Sequence, residues 1–402
     1  MTLQNSASIV GWGESFASAA NPKTPLELAA EATRSALDRA QVEKADIEGV
    51  LTGRAPIADQ RHQYNNILAS HLNFTPRFST EITFHGAGVM SLFKYAAMAV
   101  ASGVADPVLC VQSDAAPQYS DPGERVAEMD VDPVFEFPYG PTMPAIFALV
   151  ARRQMVESGV TREQFAEIAV TAREWGRHHP HAALGHKGEL TVEEVLDAPM
   201  VADPLSLYDC TPWGPAGTGG AFVVTSSENV SPDDGTAVDI CGVGECATHE
   251  YITARRSLNS APVDRPSELT STGAQESGRR AFEMAGLTPE DIDVAEVTYL
   301  FSNVALLLLE DLGFCEQGEA GTFVENGGLD PDEGLPFGTH GGDLTFGQAG
   351  ISFEMNAAIE CIRQLTGNAL GRQVECSTGL VHGIGSTCAC HSTAILQQRG
   401  ST

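Results

Sequence analysis

The sequence predicts an α/β protein made of two related halves. Two observations carry this. Stretches with a period of two, typical of strands, alternate along the chain with stretches of period 3.6, typical of helices. In addition, two segments occur twice. Residues 85–103 (HGAGVMSLFKYAAMAVASG) and 347–366 (GQAGISFEMNAAIECIRQLT) each run from Ala-Gly-aliphatic into a mostly apolar helix, at an offset of 262. Residues 31–47 and 276–292 share Glu31/Glu276, Ala36/Ala281, Ala40/Ala285, Asp46/Asp291 and Ile47/Ile292, at an offset of 245. Periods this long exclude a solenoid and fit a duplicated βαβαβ domain. The first half spans residues 1–230 and the second 237–402, with the polar run SSENVSPDDGT (226–236) at the joint.

The elements follow in order. Ser8–Gly13 reads as the first strand. Thr24–Ala40 reads as an amphipathic helix, with Thr24 as N-cap, Pro25 in the first turn and Glu27 closing a capping box. Ile47–Thr52, Glu81–Phe84 and Val108–Gln112 read as strands. An insertion of about 114–210 carries helices at Thr142–Ser158 and Thr161–Trp175, then a polar stretch with His178, His179, His181 and His186. Those histidines lack the spacing of helical metal ligands and read as a solvated loop. The second half repeats the plan, with a helix at Ala274–Ala285 and a strand at Asp293–Phe301.

Composition narrows the function. The chain has 402 residues, 43% of them hydrophobic, and a mean hydropathy of -0.07, which suits a globular protein with a large core. No apolar run reaches membrane-spanning length and the first residues lack a signal-peptide pattern, so the expected location is the cytoplasm. The net charge is -30, from 53 acids and 23 bases, only four of which are lysines. That excludes a nucleic-acid partner, which needs basic surface. An anionic substrate would need a local basic cradle; Arg152-Arg153, Arg255-Arg256 and Arg279-Arg280 are candidates, against the commoner role of such pairs in surface ion pairs. Cys388-x-Cys390-His391 has the wrong spacing for a zinc site, and no metal is expected.

The repeated Ala-Gly segments focus attention on the residues at their mouths, His85 and Gln348. A helix N-terminus directs backbone N–H groups at a reacting group and favours negative charge there. Around them the sequence resembles the thiolase superfamily across nearly its whole length. ITFHGAGVMSLFKYAAMAVASGVAD is similar to the nucleophile-helix segment. EVTYLFSNVALLLLEDLGFCEQGEAGTFVENG is similar to the segment that reads HDCF in sterol-carrier-type thiolases. LPFGTHGGDLTFGQAGISF sits where that family has Gly-Gly and then Gly-His-Pro, and GLVHGIGSTCACHSTAIL is similar to its C-terminal glycine loop. VARRQMVESGVTREQFAEIAVTAREWG and LTVEEVLDAPMVADPLSLYDCTP most resemble the sterol-carrier-protein-X/lipid-transfer-protein branch, whose aldolases split β-hydroxyacyl-CoA thioesters, including steroid side chains. The resemblance implies a layered α/β/α/β/α architecture, a homodimer, an acyl-CoA substrate with no further cofactor, and a possible zinc-ribbon/OB-fold (DUF35-type) partner.

The departures are as informative. Thiolases resembling this chain have a cysteine at position 85, a histidine at 348 and often a cysteine in the last glycine loop; here stand His85, Gln348 and Gly385. An acyl carrier needs a thiolate, so ordinary thiolase chemistry is not expected. Retro-aldol cleavage needs only a base and donors for an enolate. The aldolase branch places tyrosines where this chain has Thr298 and Phe346, and an aspartate in the stretch that here reads Asp209-Cys210-Thr211-Pro212-Trp213-Gly214-Pro215. Tyr299 is one residue from the first of these positions, and neighbours on a strand face opposite ways. The candidate catalytic residues are therefore His85, Tyr299, His382 and His340, with Gly86, Gly88, Gln348, Gly350 and Gly383 as substrate-binding positions. Three readings stay open: an aldolase-like lyase, a non-catalytic thiolase-fold subunit that scaffolds a catalytic partner, and a CoA-thioester binder or acyltransferase of altered mechanism.

Overall fold

In the computed structural model the described residues are 3–53, 55–59, 61–115, 131–248, 252 and 269–400. Eleven strands are described: β1 (Ala7–Ala17), β2 (Gly49–Gly53), β3 (Phe78–Ile82), β4 (Val108–Ala115), β5 (Met200–Ala202), β6 (Leu205–Ser206), β7 (Gly217–Ser226), β8 (Val238–Ala247), β9 (Val294–Val297), β10 (Thr378–Gly385) and β11 (Cys390–Gln398). Nine of them form one sheet in the order β3-β2-β4-β7-β1-β8-β11-β10-β9. Its two ends repeat one topology. In the first half β2 runs parallel to β3 and β4, and β7 runs antiparallel to β4 and β1. In the second, β9 runs parallel to β10, and β11 runs antiparallel to β10 and β8. The counterpart of β3 has shrunk to a single parallel bridge, Ala295 to Phe337.

The offset of 245 has a direct structural reading. Helix α1 (Pro25–Ala40), the turn Lys44–Asp46 and β2 correspond to the later helix Ala274–Ala285, the turn Pro289–Asp291 and β9. The shared alanines are contact points. A Cβ on Gly11 would meet Ala36 and Ala40, and one on Gly242 would meet Ala281 and Ala285. Each helix lies so close on its strand that small residues are needed on both sides. The capping box of α1 is formed: the Thr24 hydroxyl accepts from the Glu27 N–H and Glu27 accepts from the Thr24 N–H at 2.8 Å.

Helix α2 (Tyr64–His71) joins α1 on the outer face of the first half. Between the half-sheets lies a central layer of α3 (Gly88–Ala101) and the late helix Phe353–Leu365, packed together with residues of both halves. The insertion contributes α4 (Met143–Glu157), α5 (Arg162–Gly176) and α6 (Val192–Asp197). They pack with α7 (Ala274–Ala285), α8 (Ser302–Asp311) and α9 (Ala320–Glu325) over the outer face of the second half, and the central Phe353–Leu365 is α10. The result is the expected five layers, α/β/α/β/α.

Some expectations need correction. Asp293–Phe301 is not all strand: pairing stops at Val297, and the Asp343 carboxylate takes the N–H groups of Tyr299 (2.5 Å) and Leu300 (2.8 Å), turning the chain with Leu300 in the left-handed region. The His-rich stretch is not uniformly solvated. His178, His181 and His186 are exposed, His181 with its ring stacked on Phe16 at 3.8 Å, but His179 is buried with its ring edge-on to Phe346. Burial holds the His179 pKa down at about 2.

Candidate active site

The two helix mouths are built differently. Beyond β3 the chain turns through Phe84, His85 and Gly86 into α3. His85 is half-buried and left-handed, with a φ of +46° that only a local framework maintains in a non-glycine residue. Its carbonyl accepts from the Gly88 N–H at 3.2 Å, starting the helix. On one side it is pressed against the hairpin between β10 and β11: a Cβ on Gly385 would fall 2.6 Å from the Cβ of His85 and 3.1 Å from that of Cys390. Beside Gly86 is a residue that sequence reasoning missed. Glu354, in the first turn of α10 and fully buried, places a carboxylate oxygen where a Cβ on Gly86 would sit, 1.8 Å away. The sequence shows only an acid near the start of a mostly apolar helix; its burial, rare for an acid, comes from contacts distant in the chain.

At the other mouth the main chain is bolted down. Gln348, half-buried, donates its backbone N–H to Pro212 at 2.9 Å and accepts from Gly214 at 3.1 Å. Gly350 has a φ of +66° and lies on Asp114, whose carboxylate oxygen would be 2.0 Å from an added Cβ. Buried Asp114 accepts four backbone N–H groups, from Ile57, Ala58, Ala115 and Ile351, at 2.8–3.2 Å. Burial pushes its pKa up to about 6 against the lowering effect of those bonds.

The other glycines are also points of close approach: a Cβ at Gly88 would meet the Ile82 carbonyl at 2.7 Å, and one at Gly383 would meet Met90 at 2.8 Å. Gly383 and Gly385 therefore face the central layer. His382 immediately precedes Gly383 in β10, so its side chain points to the opposite face, wholly buried. There its Nδ1 is 2.8 Å from the Thr393 hydroxyl and its Nε2 is 3.3 Å from Nδ1 of His391, whose Nε2 donates to the Cys388 carbonyl at 3.0 Å. A carbonyl only accepts, so Nε2 of His391 carries a proton, and when both rings are neutral Nδ1 of His391 accepts from Nε2 of His382. Burial, then His391, holds the His382 pKa well below its usual range. The structure does not bring His382 together with His85.

Tyr299 and His340 are likewise internal. Tyr299 is buried, its ring stacked on Phe337 at 5.7 Å and its hydroxyl against Gly342. Burial, then Asp343, raises its pKa well above 10. Thr298, on the alternate face, accepts from the Ile384 N–H at 3.3 Å. His340 binds Glu296 at 2.8 Å, and the Thr339 hydroxyl lies 2.7 Å from Glu296 and 2.8 Å from Glu360. Burial works against a charged His340, but Glu296 outweighs it with Glu360 and Asp343, and the net shift is upward. Glu360 follows Glu354 on α10 by six residues, about 9 Å along the axis, so this network lies behind the mouths.

The described arginine pairs are occupied by acids. Arg152 binds Asp203, Arg153 binds Glu157, and Arg279 and Arg280 share Glu276. Arg255-Arg256 lies outside the described residues. Among the described residues no cluster of three or more His, Cys, Asp or Glu groups is arranged to hold a metal ion, and no helix is long and apolar enough to cross a membrane.

This arrangement, with two helix N-termini meeting between duplicated halves, agrees with the comparisons. Residues 256–398 match the thiolase C-terminal domain-like family. The acetyl-CoA acetyltransferase of Methanothermobacter thermautotrophicus is 33% identical over 364 residues, 90% of this chain and 91% of the relative. The chain belongs to the thiolase superfamily. Within it, this thiolase-fold protein falls in the sterol-carrier/lipid-transfer-protein branch. The 17-hydroxy-3-oxo-4-pregnene-20-carboxyl-CoA lyase of Mycobacterium tuberculosis is 31% identical over 92% of the chain and 93% of the relative. The steroid side-chain-cleaving aldolase of Thermomonospora curvata is 29% identical over 94% and 95%. The solved Ltp2-ChsH2(DUF35) aldolase superposes with a TM-score of 0.80 at 27% identity, covering 99% of both chains.

Proposed function

We propose that this protein is a carbon–carbon lyase that cleaves a β-hydroxyacyl-CoA thioester by a retro-aldol reaction. The observation that carries this is His85, a half-buried imidazole at the mouth of α3, in the place where the resembled thiolases have their cysteine. His85 takes the β-hydroxyl proton. The Cα–Cβ bond breaks, an aldehyde or ketone leaves, and the electron pair passes to the thioester as an enolate. The positive end of α3 and the Gln348 amide stabilise that enolate, and a proton returned to its α-carbon completes the acyl-CoA. Gly86, Gly88, Gly350 and Gly383 shape the site by letting the two mouths and β10 approach closely, and burial gives His340, His382 and Tyr299 framework roles.

The names of the relatives favour a lipid or steroid side chain as the acyl group; a homodimer in the cytoplasm is the setting expected from the sequence and the family resemblance. A zinc-ribbon/OB-fold partner fits the match to the Ltp2-ChsH2(DUF35) aldolase. It also fits the local chemistry, since the described arginine pairs that would receive the CoA phosphates are already held by acids. Thr298 and Phe346, at the positions of the branch's tyrosines, favour a second reading, a non-catalytic subunit that scaffolds an active chain. The two separate when the protein, alone and with such a partner, is incubated with β-hydroxyacyl-CoAs. The lyase reading expects a shorter acyl-CoA and a carbonyl product in equal amounts; CoA-ester binding with no cleavage in either case favours the scaffold.

A further inference from the structure

The mouth of α3 contains an acid that the proposed reaction does not use. Glu354 lies in the second half of the chain, yet its carboxylate touches the backbone of Gly86, the residue after His85. Three features make this a built arrangement. The side chain is fully buried, so its charge is not dispersed by water. It stands in the first turn of a 13-residue helix and beside the first turn of a 14-residue one, where two positive helix ends favour an anion. And it abuts Gly86, the next residue after a histidine whose left-handed backbone packs closely on Gly385.

We infer that Glu354 is the positioning residue of the site: an anion that holds the His85 imidazole in one orientation and raises its affinity for a proton. A base in a site with two positive helix ends otherwise loses basicity, because they oppose an imidazolium. A buried carboxylate restores it, since an opposite charge within a few ångströms shifts a pKa by about 1–3 units. Among the described residues, the titratable groups that the contacts place around the His85 turn are Glu354 from α10 and Cys390 from β11. Cys390 cannot supply the charge without losing its own proton. Each half would then give one member of a pair: the imidazole from the first, its counter-charge from the second. This rests on the proposed role of His85 as base, but its test does not depend on turnover.

The experiment is an NMR pH titration of the substrate-free protein with labelled histidine, in which His85→Gln identifies the His85 signals. In Glu354→Gln the His85 pKa should fall by about one unit or more. The other histidines should keep their titrations, and the acid limb of any cleavage profile should move with the His85 pKa. An unchanged His85 pKa in a folded Glu354→Gln protein overturns the assignment. Should that variant not fold, Glu354→Asp retains the charge at a greater distance and the His85 pKa must still fall; no change there is equally fatal. If the titration shifts but no cleavage is found, the pairing stands and the proposed reaction falls.

Discussion

The two helix mouths descend from one repeated segment and have been put to opposite uses. At α3 the mouth is half-buried and carries a histidine whose left-handed backbone packs on the β10–β11 hairpin, next to a glycine that a buried carboxylate touches. At α10 the equivalent Ala-Gly turn is tied down: Gln348 is bonded through its backbone to the segment 212–214, and the Ile351 N–H is held by Asp114. On the proposed reading the second mouth contributes the Gln348 amide and, in the first turn of its helix, Glu354. Duplication supplies two positive helix ends; on the proposed reading, divergence assigns the base to one and anchoring to the other.

The comparison breaks if the second mouth tolerates change. Gly350→Ala should be the most damaging single substitution, since it sets a left-handed strain of about 1–2 kcal/mol beside overpacking of about 1–3 kcal/mol against Asp114. Urea unfolding should show a loss near the top of that combined range; a midpoint close to wild type would mean that the clamp is slack. Asp114→Asn comes next. An amide has one acceptor oxygen where four N–H groups converge, and an orphaned buried donor costs about 1–3 kcal/mol.

A smaller effect separates the mouths from the network behind them. Burial, and Glu296 beside it, holds the Glu360 carboxyl up at about 7, against an ordinary value of 4.5. The folded state keeps a proton there that the unfolded chain releases. That contribution favours folding in full below about 4.5 and is lost as the pH rises through 7. Asp343, at about 6, has the same sign; His179, at about 2, has the opposite one, its contribution being present above 6.5 and lost as the pH falls. Between pH 6 and 8 the urea midpoint of the wild type should therefore drop, and Glu360→Gln should flatten the drop. Equal slopes would remove Glu360 from the account. The smallest effect belongs to the surface: Arg279→Ala, which loses exposed pairs with Glu276 and Glu283, should leave the midpoint unchanged.

What the sequence made legible was what depends on local pattern. The capping box at Thr24, the helices of the insertion and the 245-residue repeat all reappear, because caps and small-residue contacts are written in adjacent positions. The site was only partly legible. His85 and the mouths followed from the repeated turn. Glu354 and Asp114 were not found, because their meaning lies in contacts across more than two hundred residues. His382 was misplaced by reading a glycine loop where a strand alternates: one residue decides which face of β10 a side chain takes, and Gly383 and Gly385 hold the other.

The most direct test of the central claim is the rate of acyl-CoA release from a β-hydroxyacyl-CoA by wild type and His85→Ala, each alone and with the proposed zinc-ribbon/OB-fold protein, and each shown to be folded. A positioned general base is worth about 10²–10⁴-fold, so the variant should lose that much in kcat while its CoA-ester binding stays within a few-fold. Cleavage at the wild-type rate by His85→Ala would contradict the assignment of the base to the mouth of α3.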